Sequence, residues 1–469
     1  MRILIAGAGI SGLSLAHALI GRAAADRPLD VLVVDGASRA GGVVRSISTG
    51  DYLCESGPNG FLDGAADTQA LVDELGVRDR LLPSSDLARR RFIYRAGRLR
   101  PLPTGPGSFL TGDVLSLRGR LRLLMEPLVP GGSREDESVH AFASRRFGAE
   151  TASVMADAMT TGIFGGGSRD LSIRACLPQV WQLEADHGGI VRGLIARRWK
   201  RTRPGSDGHG RPAGSAFGRL TSFRDGIEEL TAAIARSLGG RLRLATALDR
   251  LDRADTRGWL VRTSDGAVHQ ADTVVLATGA QTAAALVEPL DAVLASELRG
   301  IVSAPMAVVC LGYPSSAPGA ALDGFGFLVP QGEGLRILGA VWDSSVFPGR
   351  APAGCSLIRV LIGGGRDPGA LALDDDGLTA LARGDLQTAC GLEAPPSFVH
   401  IVRQVPGLPQ YRVGHVARLA RIASRLEAHP GLLVAGNSYH GLALNACIAE
   451  GRRLADALLG GPSASGGPV

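Results

Sequence analysis

Residues 2–35 read RILIAGAGISGLSLAHALIGRAAADRPLDVLVVD. The apolar run at 2–6 predicts a strand, 13–25 a helix and 30–34 a second strand, a βαβ unit whose turn is Gly7-Ala8-Gly9-Ile10-Ser11-Gly12. Gly7 permits the tight turn, Gly9 lets backbone approach a pyrophosphate, and Gly12 lets helix pack on strand. The first helical turn, with Ile10 and Ser11, offers free N–H groups and the positive end of the helix dipole. Asp35 ends the second strand, about 20 residues on, where an acidic side chain accepts ribose hydroxyls. This is the pattern of a dinucleotide fold.

The next residues separate cofactor classes. Arg39-Ala40-Gly41-Gly42 places a second glycine pair where a nicotinamide fold goes on to its next helix. Many flavin enzymes instead set such a turn, with an arginine, over the cofactor diphosphate. Further along, 223–227 leads into an amphipathic helix ending at Leu238, followed by strands near 242–245, 259–263 and 267–270. Residues 272–279 (DTVVLATG) read as a buried strand ending in small residues, and 432–435 as another, followed by Gly436-Asn437-Ser438-Tyr439-His440-Gly441 and a helix over 445–459. That last glycine turn is a second electropositive niche, suited to the pyrimidine end of a flavin. Three separated blocks then build one nucleotide domain, and what lies between them is inserted.

The chain of 469 residues is 45% apolar and 20% charged with net charge +5, a globular composition long enough for ~2–4 domains. Its one lysine is Lys200, so no Walker A motif is present, and Lys200 sits among arginines on a solvated face rather than as a Schiff-base residue. Six scattered cysteines without a C-x-x-C pair read as buried thiols in a reducing cytosol, and neither they nor the nine histidines have zinc spacing. Basic stretches lack the aromatic interleaving of a nucleic-acid groove. The insert at 103–200 interleaves leucines with Arg118, Arg120 and Arg122; it reads either as a helical lobe lying on an anionic membrane surface or as a buried lobe with a solvated arginine face.

With these motifs in order, the sequence resembles a known family. GAGISGL, Gly41-Gly42, Glu55-Ser56-Gly57-Pro58-Asn59-Gly60, Arg91-Phe92-Ile93-Tyr94, Leu102-Pro103-Thr104-Gly105, Gly324-Phe325-Gly326-Phe327-Leu328-Val329-Pro330, Pro409-Gln410-Tyr411 and Gly436-Asn437-Ser438 through Asn445-Ala446-Cys447-Ile448 look like the FAD-dependent, oxygen-utilising protoporphyrinogen oxidases of the myxobacterial, plant and animal type. The resemblance implies an α/β, Rossmann-like FAD domain of amine-oxidase type, with an inserted mixed α+β substrate domain and a helical domain. FAD would occupy 1–88, 218–296 and 424–460, the substrate domain 89–103 and 297–423, and the helical domain 104–200; 201–217 is a linker and 461–469 a disordered tail. The implied activity is three two-electron oxidations of a porphyrinogen, with dioxygen as acceptor and hydrogen peroxide as product. Implied partners are the porphyrinogen, dioxygen, a membrane surface and a second copy in a homodimer, with no nucleic acid; the implied location is the cytoplasm, peripheral on the inner face of the cell membrane.

The resemblance assigns FAD binding to Gly7, Gly9, Ile10, Ser11, Gly12, Asp35, Arg39, Gly41, Gly42, Gly57, Pro58, Asn59, Thr278, Gly436, Asn437, Leu442 and Leu444. It assigns substrate binding to Arg91, Asn59, Phe325, Gly326, Leu328 and Leu361. A porphyrinogen needs flat apolar walls and a guanidinium at the rim, and Arg91 is the natural clamp. On one strand Phe325 and Phe327 face opposite to Gly326 and Leu328, so Phe325, Gly326 and Leu328 share a wall only if the strand twists or ends there. Asn59 orients a pyrrole N–H or a propionate, or caps its own turn. Asp35 stands where the family more often has glutamate, Ala446 replaces an aspartate, and His440 occupies a variable position; no general base is assigned. Coproporphyrinogen III, with four carboxylates, is the alternative substrate, and would call for a second guanidinium cluster from Arg95, Arg98 or Arg100. An amine oxidase lacks its usual lysine here, and a non-catalytic nucleotide-binding or membrane-surface protein is the remaining alternative.

Overall fold

The computed structural model describes residues 1–22, 29–132, 135–201, 218–254, 258–317, 319 and 322–460. The expected linker, apart from residue 201, the expected tail and the last residues of the helix expected at 13–25 lie outside the described residues.

Strand Arg2–Ala6 is the centre of a parallel five-stranded sheet, ordered Leu242–Arg243, Asp30–Val34, Arg2–Ala6, Thr273–Leu276, Leu432–Val434. Its members come from three distant parts of the chain. Both faces are covered, which is why these strands read as unbroken apolar runs. Ile3 and Ile5 face one core with Leu13, Ile234 and Ile448, while Leu4 and Ala6 face another with Leu294, Leu298 and Ile422. Helix Ile10–Gly21 crosses helix Leu444–Leu458 closely at Gly451, where a Cβ would lie 2.9 Å from Leu15 N.

A second sheet has seven strands, ordered Phe398–Pro409, Ser303–Pro314, Cys355–Gly363, Gly339–Val341, Gly326–Leu328, Arg91–Arg95, Arg98–Pro101. All its pairings are antiparallel except the junction of Gly326–Leu328 with Arg91–Arg95, which sets Gly326 opposite Arg91 and Leu328 opposite Ile93. Two of the expected domain boundaries fall inside helices: 296/297 within Ala292–Arg299 and 423/424 within His415–Glu427. The two helices pack together, Leu419 and Ile422 joining Leu294, Ala295 and Leu298 in the core of the first sheet. Helix His415–Glu427 thus goes with the nucleotide sheet and not with the insert.

Residues between the two halves of this framework form a helical lobe. Helices Val139–Phe147 and Asp157–Phe164 are its inner elements, the latter entered through a π turn at Ala152–Ala156. Inside the lobe Arg146 pairs with Glu126, both fully buried, and Glu126 also accepts the Ile190 N–H at 2.8 Å. Helix Leu117–Leu124 turns its leucines outward: Leu117, Leu121 and Leu124 are 65, 54 and 57% exposed, with Met125 and Leu128 exposed beyond them. Arg122 instead folds back to donate to the Arg145 and Arg146 carbonyls. A buried lobe with a solvated arginine face does not describe this helix.

Candidate active site

At the C-terminal edge of the first sheet the glycine turns converge. Gly9 caps helix Ile10–Gly21, Gly41 donates to the Ala8 carbonyl at 2.8 Å, and a Cβ on Gly42 would sit 3.2 Å from Gly9 Cα. A Cβ on Gly7 would meet the Ala277 carbonyl at 2.6 Å, and one on Gly12 the Ala277 Cβ at 3.2 Å, so the second strand block is drawn against the first turn. Gly57, beside Pro58, abuts the Val43 carbonyl. Gly436 stands near Ala277 and Ser11, and Asn437 offers its carbonyl to the Tyr411 hydroxyl. Around a Cβ on Gly9, by contrast, there is no heavy atom within 4 Å, and the Thr278 hydroxyl nearby in the chain after Ala277 is buried without a hydrogen-bond partner. Open space over a helix N-terminus, with a buried orphan hydroxyl beside it, fits a diphosphate-bearing cofactor.

Three expected cofactor residues act differently from the expectation. Arg39 does not stand free to neutralise a diphosphate, because its guanidinium donates to the Ala40, Gly42 and Val44 carbonyls and pairs with Glu228 at 3.2 Å. It holds the glycine turn in shape. Leu442 packs on the core of the helical lobe, and Leu444 is buried under the first sheet with Cys447 and Ile448. Asp35 accepts N–H bonds from Ala8 at 2.6 Å and Ala37 at 2.8 Å, tying the first glycine turn to the second strand.

Between the second sheet and the helical lobe lies a cavity of about 710 Å³. Asn59, Arg91, Phe325, Gly326, Leu328 and Leu361 all line it. Sheet register explains how. Arg91, Gly326 and Val341 form one cross-strand row and Ile93, Leu328, Gly339 and Leu361 the next, two residues on, so both rows share a face. Phe325 precedes the strand, and the φ of +130° at Gly326, which L side chains rarely adopt, turns its ring under the Arg91 guanidinium at 4.9 Å. The opposite wall is helical: Phe142, Met155, Met159 and Gly162, with Gly162 so close to Leu328 that a Cβ would lie 2.8 Å from its Cδ2.

The chemistry of the lining is simple. Its only polar side chains are Asn59, Arg91 and Thr151; no lysine, histidine or carboxylate belongs to it. Arg89 and Arg90 are spent on Asp86 and Asp323, whereas Arg91, among the described residues, has no carboxylate partner. Arg95 pairs with Glu150 at 2.7 Å, and Arg98 and Arg100 pair with Asp113 at 2.6 and 2.8 Å, all outside the cavity. His440 is also outside it, and burial lowers its pKa.

Sequence reasoning missed the charges beneath the Gly57-Pro58-Asn59 loop. Glu55, Asp343, Arg350 and Arg359 are all nearly fully buried. Glu55 lies 3.6 Å from Arg350, accepts from Ser46 Oγ at 2.7 Å and from Ile227 N at 3.0 Å, and burial pushes its carboxyl up to about 7. Arg359 Nε stands 3.1 Å from Asp343, while Nη1 donates to the Gly57 carbonyl at 2.8 Å. Only Glu55 belongs to a motif; the other three are isolated residues in different strands and loops, with no local spacing to betray them.

Comparison with known proteins agrees with this geometry. Residues 10–459 match the family described as flavin containing amine oxidoreductase. The chain is 33% identical to human protoporphyrinogen oxidase over 98% of both chains, and 32% identical to the chloroplastic protoporphyrinogen oxidase of rice over 95% of this chain and 85% of that one. It is 26% identical to the coproporphyrinogen III oxidase of Bacillus subtilis over 97% of each. A solved structure from Exiguobacterium superposes with a TM-score of 0.80 at 24% identity, covering 97% of this chain and 98% of that one, and UDP-galactopyranose mutase with 0.71 at 15%, covering 98% and 95%.

Proposed function

The chain belongs to the flavin-containing amine oxidoreductase family, among its protoporphyrinogen oxidases, and on that premise we propose that it oxidises protoporphyrinogen IX to protoporphyrin IX in haem biosynthesis. It is an FAD-dependent enzyme. Bound FAD supplies a two-electron acceptor that dioxygen reoxidises to give hydrogen peroxide, and three such rounds complete the porphyrin. Gly9, Ile10, Ser11 and Gly12 would hold the diphosphate, Asp35 the ribose, and Gly41, Gly42, Gly57, Pro58, Asn59, Thr278, Gly436 and Asn437 the remainder, with Arg39, Leu442 and Leu444 supporting those turns from behind.

The observation that carries the substrate is a single unpaired guanidinium at an otherwise apolar cavity. Its volume lies within the ~300–1,000 Å³ usual for small-molecule sites. Arg91 would bind propionate, while Phe325, Gly326, Leu328 and Leu361 would press on the macrocycle and exclude water. Two propionates suit one arginine; the two further carboxylates of coproporphyrinogen III would meet aliphatic walls, since Arg95, Arg98 and Arg100 are occupied elsewhere. With no acidic or basic side chain beside Arg91 in the lining, the chain supplies position and a dry, apolar environment rather than a proton acceptor.

The outward leucines of helix Leu117–Leu124, with exposed Arg118 on the same segment, support peripheral contact with an anionic membrane. No helix among the described residues is long and apolar enough to cross one. The deciding experiment is anaerobic bleaching of the purified yellow protein by protoporphyrinogen, followed by aerobic rates on both porphyrinogens. Faster turnover of the dicarboxylate is expected; preference for coproporphyrinogen would overturn the substrate, and failure of either to bleach the flavin would overturn the reaction.

A further inference from the structure

Asn59 lines the cavity with an amide that offers a substrate either an acceptor, Oδ1, or a donor, Nδ2. What stands behind it decides which. Nδ2 is buried and faces the carboxylate of Asp343, although the pair falls short of ordinary hydrogen-bond geometry. Asp343 is 2% exposed and opens the short helix Asp343–Val346. Burial raises its pKa, and Arg359 and Arg350 pull it back. Arg359 also holds the Gly57 carbonyl, so one guanidinium fixes both the carboxylate and the loop that carries the amide. Turning the amide over would set Oδ1 against the carboxylate oxygens, acceptor against acceptor in a medium of low dielectric. A propionate beside Asn59 would likewise approach Asp343 without a cation between them.

We infer that Asp343, anchored by Arg359, is a positioning residue that holds Asn59 with Oδ1 toward the cavity, so that Asn59 accepts a pyrrole N–H of the macrocycle and leaves the propionates to Arg91. This rests on the porphyrinogen reading above. The test is a double-mutant cycle on FAD-loaded protein, with Asp343→Asn, Asn59→Ala and the pair, reading kcat, KM and flavin absorbance. Asp343→Asn should lower kcat/KM about tenfold, as for one hydrogen bond, and should have less than about a twofold effect once Asn59 is alanine. Equal losses in both backgrounds would overturn the inference. A second measurement needs no change at Asp343: Asn59→Ala should cost the same factor on the protoporphyrinogen dimethyl ester as on the diacid, whereas the Arg91→Ala loss should disappear on the ester. An Asn59→Ala loss that vanishes on the ester would mean that Asn59 reads propionate, and the inference fails. Inactive wild type would sink the reaction itself; active wild type with an uncoupled cycle would sink only the role of Asp343.

Discussion

Replacing Arg91 by alanine takes the guanidinium from the cavity and nothing from the glycine cradle. A charged hydrogen bond of ~1.5–3 kcal/mol corresponds to a loss of about 10- to 100-fold in kcat/KM, carried mainly by KM, with flavin absorbance retained. An unchanged KM for the diacid would remove Arg91 from substrate binding. Gly9→Val makes the opposite separation. Gly9 has φ −70° and ψ 173°, which valine accepts, and no protein atom lies near the new side chain, so the variant should fold. The space it fills is the space offered to the diphosphate, so the purified protein should be colourless with a normal circular dichroism spectrum; a yellow variant would refute the cradle. These residues were legible because their signals are local: glycine spacing and an arginine within a motif. Asp343, Arg350 and Arg359 were not, since a buried charge is recognised by its partners and those lie far along the chain.

Helix Leu117–Leu124 shows what a sequence of alternating leucine and arginine leaves undecided. Either side could face outward until Arg122 is seen to donate to the carbonyls of helix Val139–Phe147. With the leucines outside, Leu121→Asp together with Leu124→Asp should abolish co-sedimentation with vesicles containing anionic lipid. Turnover of detergent-dispersed porphyrinogen should stay within about twofold, as surface substitutions usually do. Vesicle binding that survives would exclude this helix as the membrane contact. Strand pairing poses a similar problem. The segments 91–95 and 324–329 were readable as motifs, but that Gly326 lies opposite Arg91 follows from a parallel pairing across a large gap in sequence. The strand beginning at Gly326, and not at Phe325, is what frees the phenylalanine to join the wall. Helix His415–Glu427 was attached to the wrong unit because amphipathicity reports that a face is buried, not against which sheet.

Across the whole molecule, Glu55 links the cofactor half, through Ser46 and Ile227, to the substrate half, through Arg350. Its carboxyl titrates at about 7 when folded against an ordinary 4.5. Between those values the folded chain keeps a proton that the unfolded chain has lost, so this group's contribution to stability is complete below 4.5 and is lost as pH rises through 7. Glu55→Gln has no such proton to lose. Its Tm should therefore fall less than that of the parent between pH 5 and pH 8, and parallel declines would mean that Glu55 is ionised in the folded protein. The π turn at Ala152–Ala156 has a reach of its own. It carries one residue beyond the α-helical repeat, and deleting a single codon there would rotate the following helix by about 100°. Gly162 would then swing away from Leu328 and a bulkier neighbour would enter the gap, so an in-frame loss of one amino acid, far from any flavin contact, would shut the chamber that the enzyme exists to enclose.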